Sequence, residues 1–212
     1  MTAQQLVSRA WRDLAHRHGC DAASAERVLE DLVRAYGETH RHYHTLRHIA
    51  ELLQLLREHG SIADGDAVAL AILFHDAVYD PARQDNEAAS ASLARERLTL
   101  LGFPQQLMAK VERYILATQH GVSVSETGDT DLQVLLDLDL SVLAAAPDRY
   151  RAYAQAIRNE YAAVPDELYR PGRRHVLEGF LARPQIYRTD RLRALWEASA
   201  RQNLGSEIAA LA

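Results

Sequence analysis

Apolar residues recur every three or four positions along almost the whole chain, and strict alternation over the length of a strand is hard to find. This period is typical of amphipathic helices and predicts nine or ten of them. The predicted helices are about 4–18, 24–36, 45–59, 65–78, 85–101, 104–119, 131–144, 147–161, 172–183 and 190–203. Residues 121–130 form the clearest polar loop, and no repeat, linker or break in composition is visible. The pattern therefore predicts one all-α domain over 1–212, with a core of about 40–145 against which the helices of about 147–212 pack.

Composition excludes several classes of protein. The 212 residues are 48% hydrophobic and 25% charged, which is typical of a folded globular chain. A net charge of −5 disfavours a binder of polymeric nucleic acid. The single Cys20 excludes an intrachain disulfide, and we find neither an apolar leader nor an apolar run long enough to cross a membrane. We therefore expect a cytoplasmic protein with no membrane partner.

The predicted fourth helix carries two polar residues in an otherwise apolar run. His75 and Asp76 are adjacent and lie inside the segment Ala67–Val78. A helix that is apolar all round is normally buried, and a buried carboxylate needs a counter-charge or a metal ion. Two interpretations fit this pair: a structural His–Asp interaction, or part of a metal site.

Histidines are concentrated just before this helix. Five of the ten lie between His40 and His59. We expect His40 and His42 to be surface residues of a polar loop. His44 and His48 are four residues apart, so we predict that they share one face at the start of the third helix, with His48 at the edge of its apolar stripe.

The predicted seventh helix also has carboxylates within an apolar run, VLLDLDLSVL. Asp137 and Asp139 are two residues apart and point to different sides of a helix. At most one of them is therefore expected to face a shared site, and the other to cap a helix, pair with an arginine or support the site from outside.

Two imidazoles and two carboxylates converging from three helices would suit a divalent cation. Nitrogen and oxygen ligands without sulfur are compatible with Mn, Fe, Ni, Mg or Zn. Such an ion acidifies a bound water, so the pattern indicates hydrolytic chemistry.

The order of these residues resembles the HD superfamily of metal-dependent phosphohydrolases. The pattern His … His-Asp … Asp reads here as His48, His75–Asp76 and Asp139. The segments RHYHTLRHI, LFHDAVYDP, DNEAASA, ATQH and LLDLDLSVL are similar to a bacterial branch of this superfamily with chains of about this length. The resemblance covers about residues 11–207 and implies a compact HD-type helical bundle, a divalent metal ion and hydrolysis of a phosphoester.

The resemblance also implies individual roles. YHTLRH is similar to the HNxxH segment of cyclic-nucleotide phosphodiesterases, in which the first histidine is a general acid and the second a metal ligand. Carried over, His44 is the acid and His48 the ligand, although Thr45 stands where that pattern has asparagine. Alignment of DLDLSVL with the superfamily favours Asp139 over Asp137 as the last ligand.

Other candidates have two interpretations each. Glu87 is either a catalytic base near the His-Asp pair or a carboxylate stabilised at a helix N-terminus. His120 is the only histidine between that pair and Asp139, so the larger histidine set of dinuclear relatives is absent, and His120 would contact substrate or support the site. Arg41, Arg47, Arg158 and Arg173 are candidate phosphate ligands, because guanidinium matches phosphate geometry.

The sequence thus predicts a metal-dependent hydrolase of a small phosphorylated molecule such as a nucleotide. Two alternatives remain open: a non-enzymatic metal-bearing sensor or binding module, and an HD-type di-iron oxygenase. The sequence does not specify the substrate, the metal or the oligomeric state.

Overall fold

The computed structural model describes residues 1–60, 62–119 and 128–211. Over these residues the secondary structure is entirely helical, with no strand, which confirms the predicted all-α class. The helices are α1 (Ala3–Arg17), α2 (Ala22–Ala35), α3 (Leu46–His59), α4 (Gly65–Phe74), α5 (Asn86–Leu100), α6 (Gln105–Ala117), α7 (Thr130–Asp139), a 3-10 helix (Leu140–Ala144), α8 (Pro147–Glu160), α9 (Asp166–Leu181) and α10 (Asp190–Ala210). None of the described helices is long and apolar enough to cross a membrane.

Backbone contacts divide the chain into two compact units, Met1–Leu135 and Leu136–Ala212. The division falls inside α7, about ten residues before the boundary expected from the sequence. The prediction of one domain over the whole chain stays a prediction. In the first unit α1 packs on α2, α3 and α4, and α4 also packs on α5 and α6. In the second unit α10 packs on the 3-10 helix, α8 and α9.

Side-chain caps fix several helix starts. Thr2 and Gln5 form a capping box at α1, and Asp64 accepts a hydrogen bond from the Ala67 amide at α4. Asp21 caps α2 by accepting from the amide of Ser24, so the helix begins two residues before the start predicted at Ser24. Aspartate and serine are comparable N-caps, so the sequence pattern alone did not distinguish Asp21 from Ser24 as the residue before the helix.

Helix α4 is the centre of the first unit. From Ala67 to Phe74 only Ala69 escapes full burial, which confirms the buried helix predicted from its composition. The helix ends at Phe74, four residues earlier than predicted. Its last four carbonyls all have donors: the His75 amide, the His75 ring, the Tyr36 hydroxyl and the Ala77 amide. Side chains and a tight turn thus replace the amides that a longer helix would supply.

Candidate metal centre

Three side chains of the first unit converge at the end of α4. His48, on the first turn of α3, and His75 are 3% and 2% exposed, and the Asp76 side chain is 18% exposed. Atom Nε2 lies 3.0 Å from Asp76 Oδ2 in His75 and 3.8 Å from it in His48. The potential ligand atoms of the three residues all lie within 4.8 Å of one another. This group could hold a metal ion, and the exposed part of the Asp76 side chain would connect the site to solvent.

The hydrogen bond of His75 defines which nitrogen faces the site. Nδ1 is 2.9 Å from the carbonyl oxygen of Ile72, and a carbonyl can only accept, so Nδ1 carries the proton. In a neutral ring Nε2 then presents its lone pair to the Asp76 carboxylate 3.0 Å away. Two electron-pair donors at that distance repel each other unless a proton or a metal cation lies between them. An imidazole whose other nitrogen donates to a backbone carbonyl is also the usual form of a metal-ligating histidine.

The charge state of Asp76 suits the same role. Burial raises the pKa of this carboxyl, but attraction to His75, His44 and His48 outweighs burial and holds the pKa well below its ordinary value. Asp76 is therefore an anion at neutral pH, and its positive partner is either a protonated imidazole or a metal ion.

The turn that carries Asp76 is held by side chains from both sides. Five consecutive carbonyls, those of residues 76–80, accept hydrogen bonds from side chains. Arg41 binds the carbonyls of Asp76 and Ala77, Ser90 that of Val78, His40 that of Tyr79, and Asn86 that of Asp80. We call residues 75–80 the His-Asp turn. Sequence reasoning missed the roles of Arg41, Ser90 and Asn86; the available signal was an arginine beside the histidine cluster and the DNEAAS segment after the turn.

His44 lies near this three-residue group but not on α3. It belongs to the turn before the helix, and the N-cap of α3 is Thr45, whose hydroxyl accepts from the Arg47 amide. The expectation that His44 and His48 share a helix face is therefore wrong. Their rings are nevertheless 6.1 Å apart between centroids, and the His44 ring lies 4.1 Å from that of Tyr79. His44 is half-buried, so the exposed part of its ring could contact a molecule bound beside this group.

The two aspartates of α7 have different roles. Asp137 is buried, and its carboxylate accepts from the amides of Arg188 and Thr189 and from the Thr189 hydroxyl, at 2.7–2.8 Å. It thus stabilises the turn before α10, one of the structural roles expected for whichever aspartate is not a ligand. Asp139 belongs to the second unit, and its assignment as the fourth ligand stays a prediction.

The remaining candidates are distributed over the chain. Glu87 is half-buried in the first turn of α5, a position compatible with either of its interpretations. Arg47 is exposed and pairs with Glu51 on the next turn of α3. His120 lies outside the described residues.

Both arginine candidates of the second unit have intramolecular partners. Arg158 binds Asp166 and the carbonyls of Tyr161 and Val164. The largely buried Arg173 makes two hydrogen bonds to Glu207. Each contact gives its arginine a structural role, and phosphate binding by either stays a prediction.

Comparisons of the chain with protein-family models, with curated proteins and with solved structures found no match.

Proposed function

We propose that the protein is a metal-dependent hydrolase of a small phosphorylated molecule such as a nucleotide. The observation that carries this proposal is the convergence of His48, His75 and Asp76 at the end of a buried helix. A structural His–Asp pair needs one imidazole, whereas here a second buried imidazole shares the same carboxylate oxygen.

His48 and His75 would hold a divalent ion through Nε2, and Asp76 through its carboxylate, with Asp139 as the proposed fourth ligand. When bound, such an ion supplies acidified water and compensates charge on a phosphoryl group. Mn, Fe, Ni, Mg and Zn are all compatible with these nitrogen and oxygen ligands. The Ile72 carbonyl accepts a hydrogen bond from Nδ1 of His75 and so fixes the orientation of that imidazole ring. The side chains that bind the carbonyls of the His-Asp turn fix the position of Asp76.

His44 is the proposed general acid, which would protonate the leaving oxygen of the substrate. Its centroid lies 6.1 Å from that of the ligand His48, so an acid and a ligand could flank the same phosphoester. The Tyr79 ring packs against His44 and restricts its rotation. Glu87 is a second proposed catalytic group, as a base that orients water.

The size and charge of the substrate follow from indirect features. A net charge of −5 disfavours a polyanion such as RNA, because phosphate contacts of nucleic acids require a basic surface. A single phosphate needs only the local positive charge of the ion and one or two arginines. Arg47, on the first turn of α3 with His48, is the exposed candidate in the first unit, because Arg41 is buried against backbone carbonyls.

The test combines metal analysis with turnover. Purified protein should contain about one divalent ion per chain by mass spectrometry, and should release phosphate from some member of a panel of nucleotides and sugar phosphates. A chelator should stop turnover, and the matching metal should restore it. A stoichiometric metal without turnover on the panel would favour the sensor interpretation, and protein that takes up no metal would contradict the proposal.

A further inference from the structure

The Arg41 side chain is the most completely buried cation near the His-Asp turn, with 0% of its surface exposed. Its Nη1 atom donates to the carbonyl of Asp76 at 2.6 Å and to that of His44 at 3.3 Å. Nη2 donates to Ala77 O at 3.1 Å, and Nε binds the Glu38 carboxylate at 2.9 Å. One guanidinium thus joins the segment that carries His44 to the turn that carries Asp76.

Two aromatic rings fix the position of this guanidinium. Its central carbon lies 5.3 Å from the ring centroid of Tyr36 and 5.5 Å from that of Tyr79. Tyr36 is bound through its hydroxyl to the end of α4, and Tyr79 packs on His44. Arg41 therefore contacts the segment before α3 and the His-Asp turn, and its guanidinium donates to backbone carbonyl oxygens and to Glu38.

We propose that Arg41 is a positioning residue of the metal centre, which sets the distance between His44 and the His75–Asp76 pair. This inference rests on the proposed metal site. A planar guanidinium with five donors can hold two segments at a fixed separation, whereas the single ammonium of lysine cannot. Arg41→Lys retains the charge and removes this geometry.

The second unit supplies a matched control. Arg201 also binds three backbone carbonyls, those of Leu181, Arg183 and Pro184, together with one carboxylate, that of Glu197. It fixes a turn that carries no predicted ligand. Arg201→Lys therefore makes the same chemical change in a similar network whose hydrogen bonds include none of the predicted ligands.

The experiment uses the full chain and Co²⁺ as the probe. We expect Arg41→Lys to weaken Co²⁺ binding by about 10–100-fold, the usual effect of losing a partner that orients a metal ligand. At saturating Co²⁺ its visible absorption should also shift, because the ligand geometry is altered. Arg201→Lys should lower the melting temperature but retain the affinity and spectrum of the wild-type protein.

If Arg41→Lys does not fold, a second pair of variants that perturb the protein less can be used. Glu38→Ala removes the carboxylate that orients Arg41, and Glu26→Ala removes a similarly exposed carboxylate that pairs with Arg12. Glu38→Ala should weaken Co²⁺ binding about fivefold or more, the factor of one hydrogen bond, and Glu26→Ala should not change it.

The outcomes separate the two proposals. Wild-type protein that binds no Co²⁺ would overturn the metal site and, with it, the role of Arg41. If the wild type binds Co²⁺ while Arg41→Lys matches its affinity and spectrum, only the positioning role is overturned. Equal losses of affinity in Arg41→Lys and Arg201→Lys would likewise assign Arg41 to general stability. For the second pair, an unchanged affinity in Glu38→Ala overturns the positioning role.

Discussion

Asp76 and Asp137 both interrupt apolar runs of the sequence, yet the structure uses them differently. Asp137 accepts hydrogen bonds from two amides and one hydroxyl of a single turn. The Oδ2 atom of Asp76 instead faces the Nε2 atoms of His75 and His48. Amides satisfy a carboxylate with protons that they cannot lose, whereas a neutral imidazole brings a lone pair of its own. The type of partner, rather than burial alone, therefore distinguishes a structural aspartate from a candidate ligand.

The largest effect should come from Asp76→Ala. The variant loses the only carboxylate of the three-residue group, so bound metal and hydrolase activity should disappear together. Folding should persist, because removing the ion together with its anion leaves no isolated charge. Metal content by mass spectrometry and far-UV circular dichroism measure the two effects, and stoichiometric metal in this variant would refute the assignment.

His44→Ala should affect chemistry and leave metal binding intact. A general acid contributes about 10²–10⁴-fold to rate, and turnover should fall by about that factor. The loss should be smaller for p-nitrophenyl phosphate, whose leaving group needs little protonation. Since Thr45 caps α3, helix content should be unchanged.

Two other results would remove the acid role from His44. Loss of metal would identify it as a ligand, and unchanged turnover with poor leaving groups would leave it no chemical role.

Asp139→Asn compared with Asp137→Asn tests the choice of the last ligand. Asp139→Asn should weaken metal binding by at least about 10-fold, since even partners outside the ligand set cost that much. Asp137→Asn should leave affinity unchanged, because both of its oxygens are engaged by the turn before α10. Titration calorimetry with one metal measures both, and equal losses would show that the wrong helix face was chosen.

The smallest effect is on stability. Asp137→Asn places an amide group against two backbone N–H donors, only one of which its oxygen can satisfy well. We expect the free energy of unfolding to fall by about 1–3 kcal/mol. Urea unfolding followed by circular dichroism checks this, with Asp139→Asn as the comparison. If the Asp137→Asn protein is as stable as the wild type, the proposed role of Asp137 in stabilising the turn before α10 is contradicted.

Sequence periodicity predicted the helical class and most helix positions. It did not predict the first and last residues of helices whose ends are set by tertiary packing. Helix α9 begins at Asp166, six residues before the predicted start, with Pro171 in its interior. Pro171 is the sixth residue of α9, where the missing amide costs one helical hydrogen bond, so the sequence alone suggested that the helix starts after the proline. Helix α10 continues through Gly205 to Ala210, where glycine costs about 1 kcal/mol that tertiary packing offsets.

Within the site, the candidate ligands were predictable from the sequence, whereas the side chains that hold the His-Asp turn in place were not. His48, His75 and Asp76 were identified because polar residues in apolar surroundings are costly without partners. The role of His40 could not be inferred in this way, since it is an exposed residue that binds the carbonyl of Tyr79. Contacts between side chains and backbone carbonyls leave no periodic signal, because any donor of sufficient length can make them.

The early end of α4 has an electrostatic consequence for the binding of charged ligands. Helical peptide dipoles leave about half a negative charge at the C-terminus, and α4 ends at Phe74, directly before the first residue of the His75–Asp76 pair. A helix that continued to Val78 would have carried this charge a full turn away. At its observed position the field attracts a cation, by about 0.3–1 kcal/mol, and repels a phosphate by a similar amount. A difference of this size weakens the binding of an anionic substrate by no more than about fivefold, so a cation at the end of α4 should assist such a substrate modestly by compensating the helix dipole.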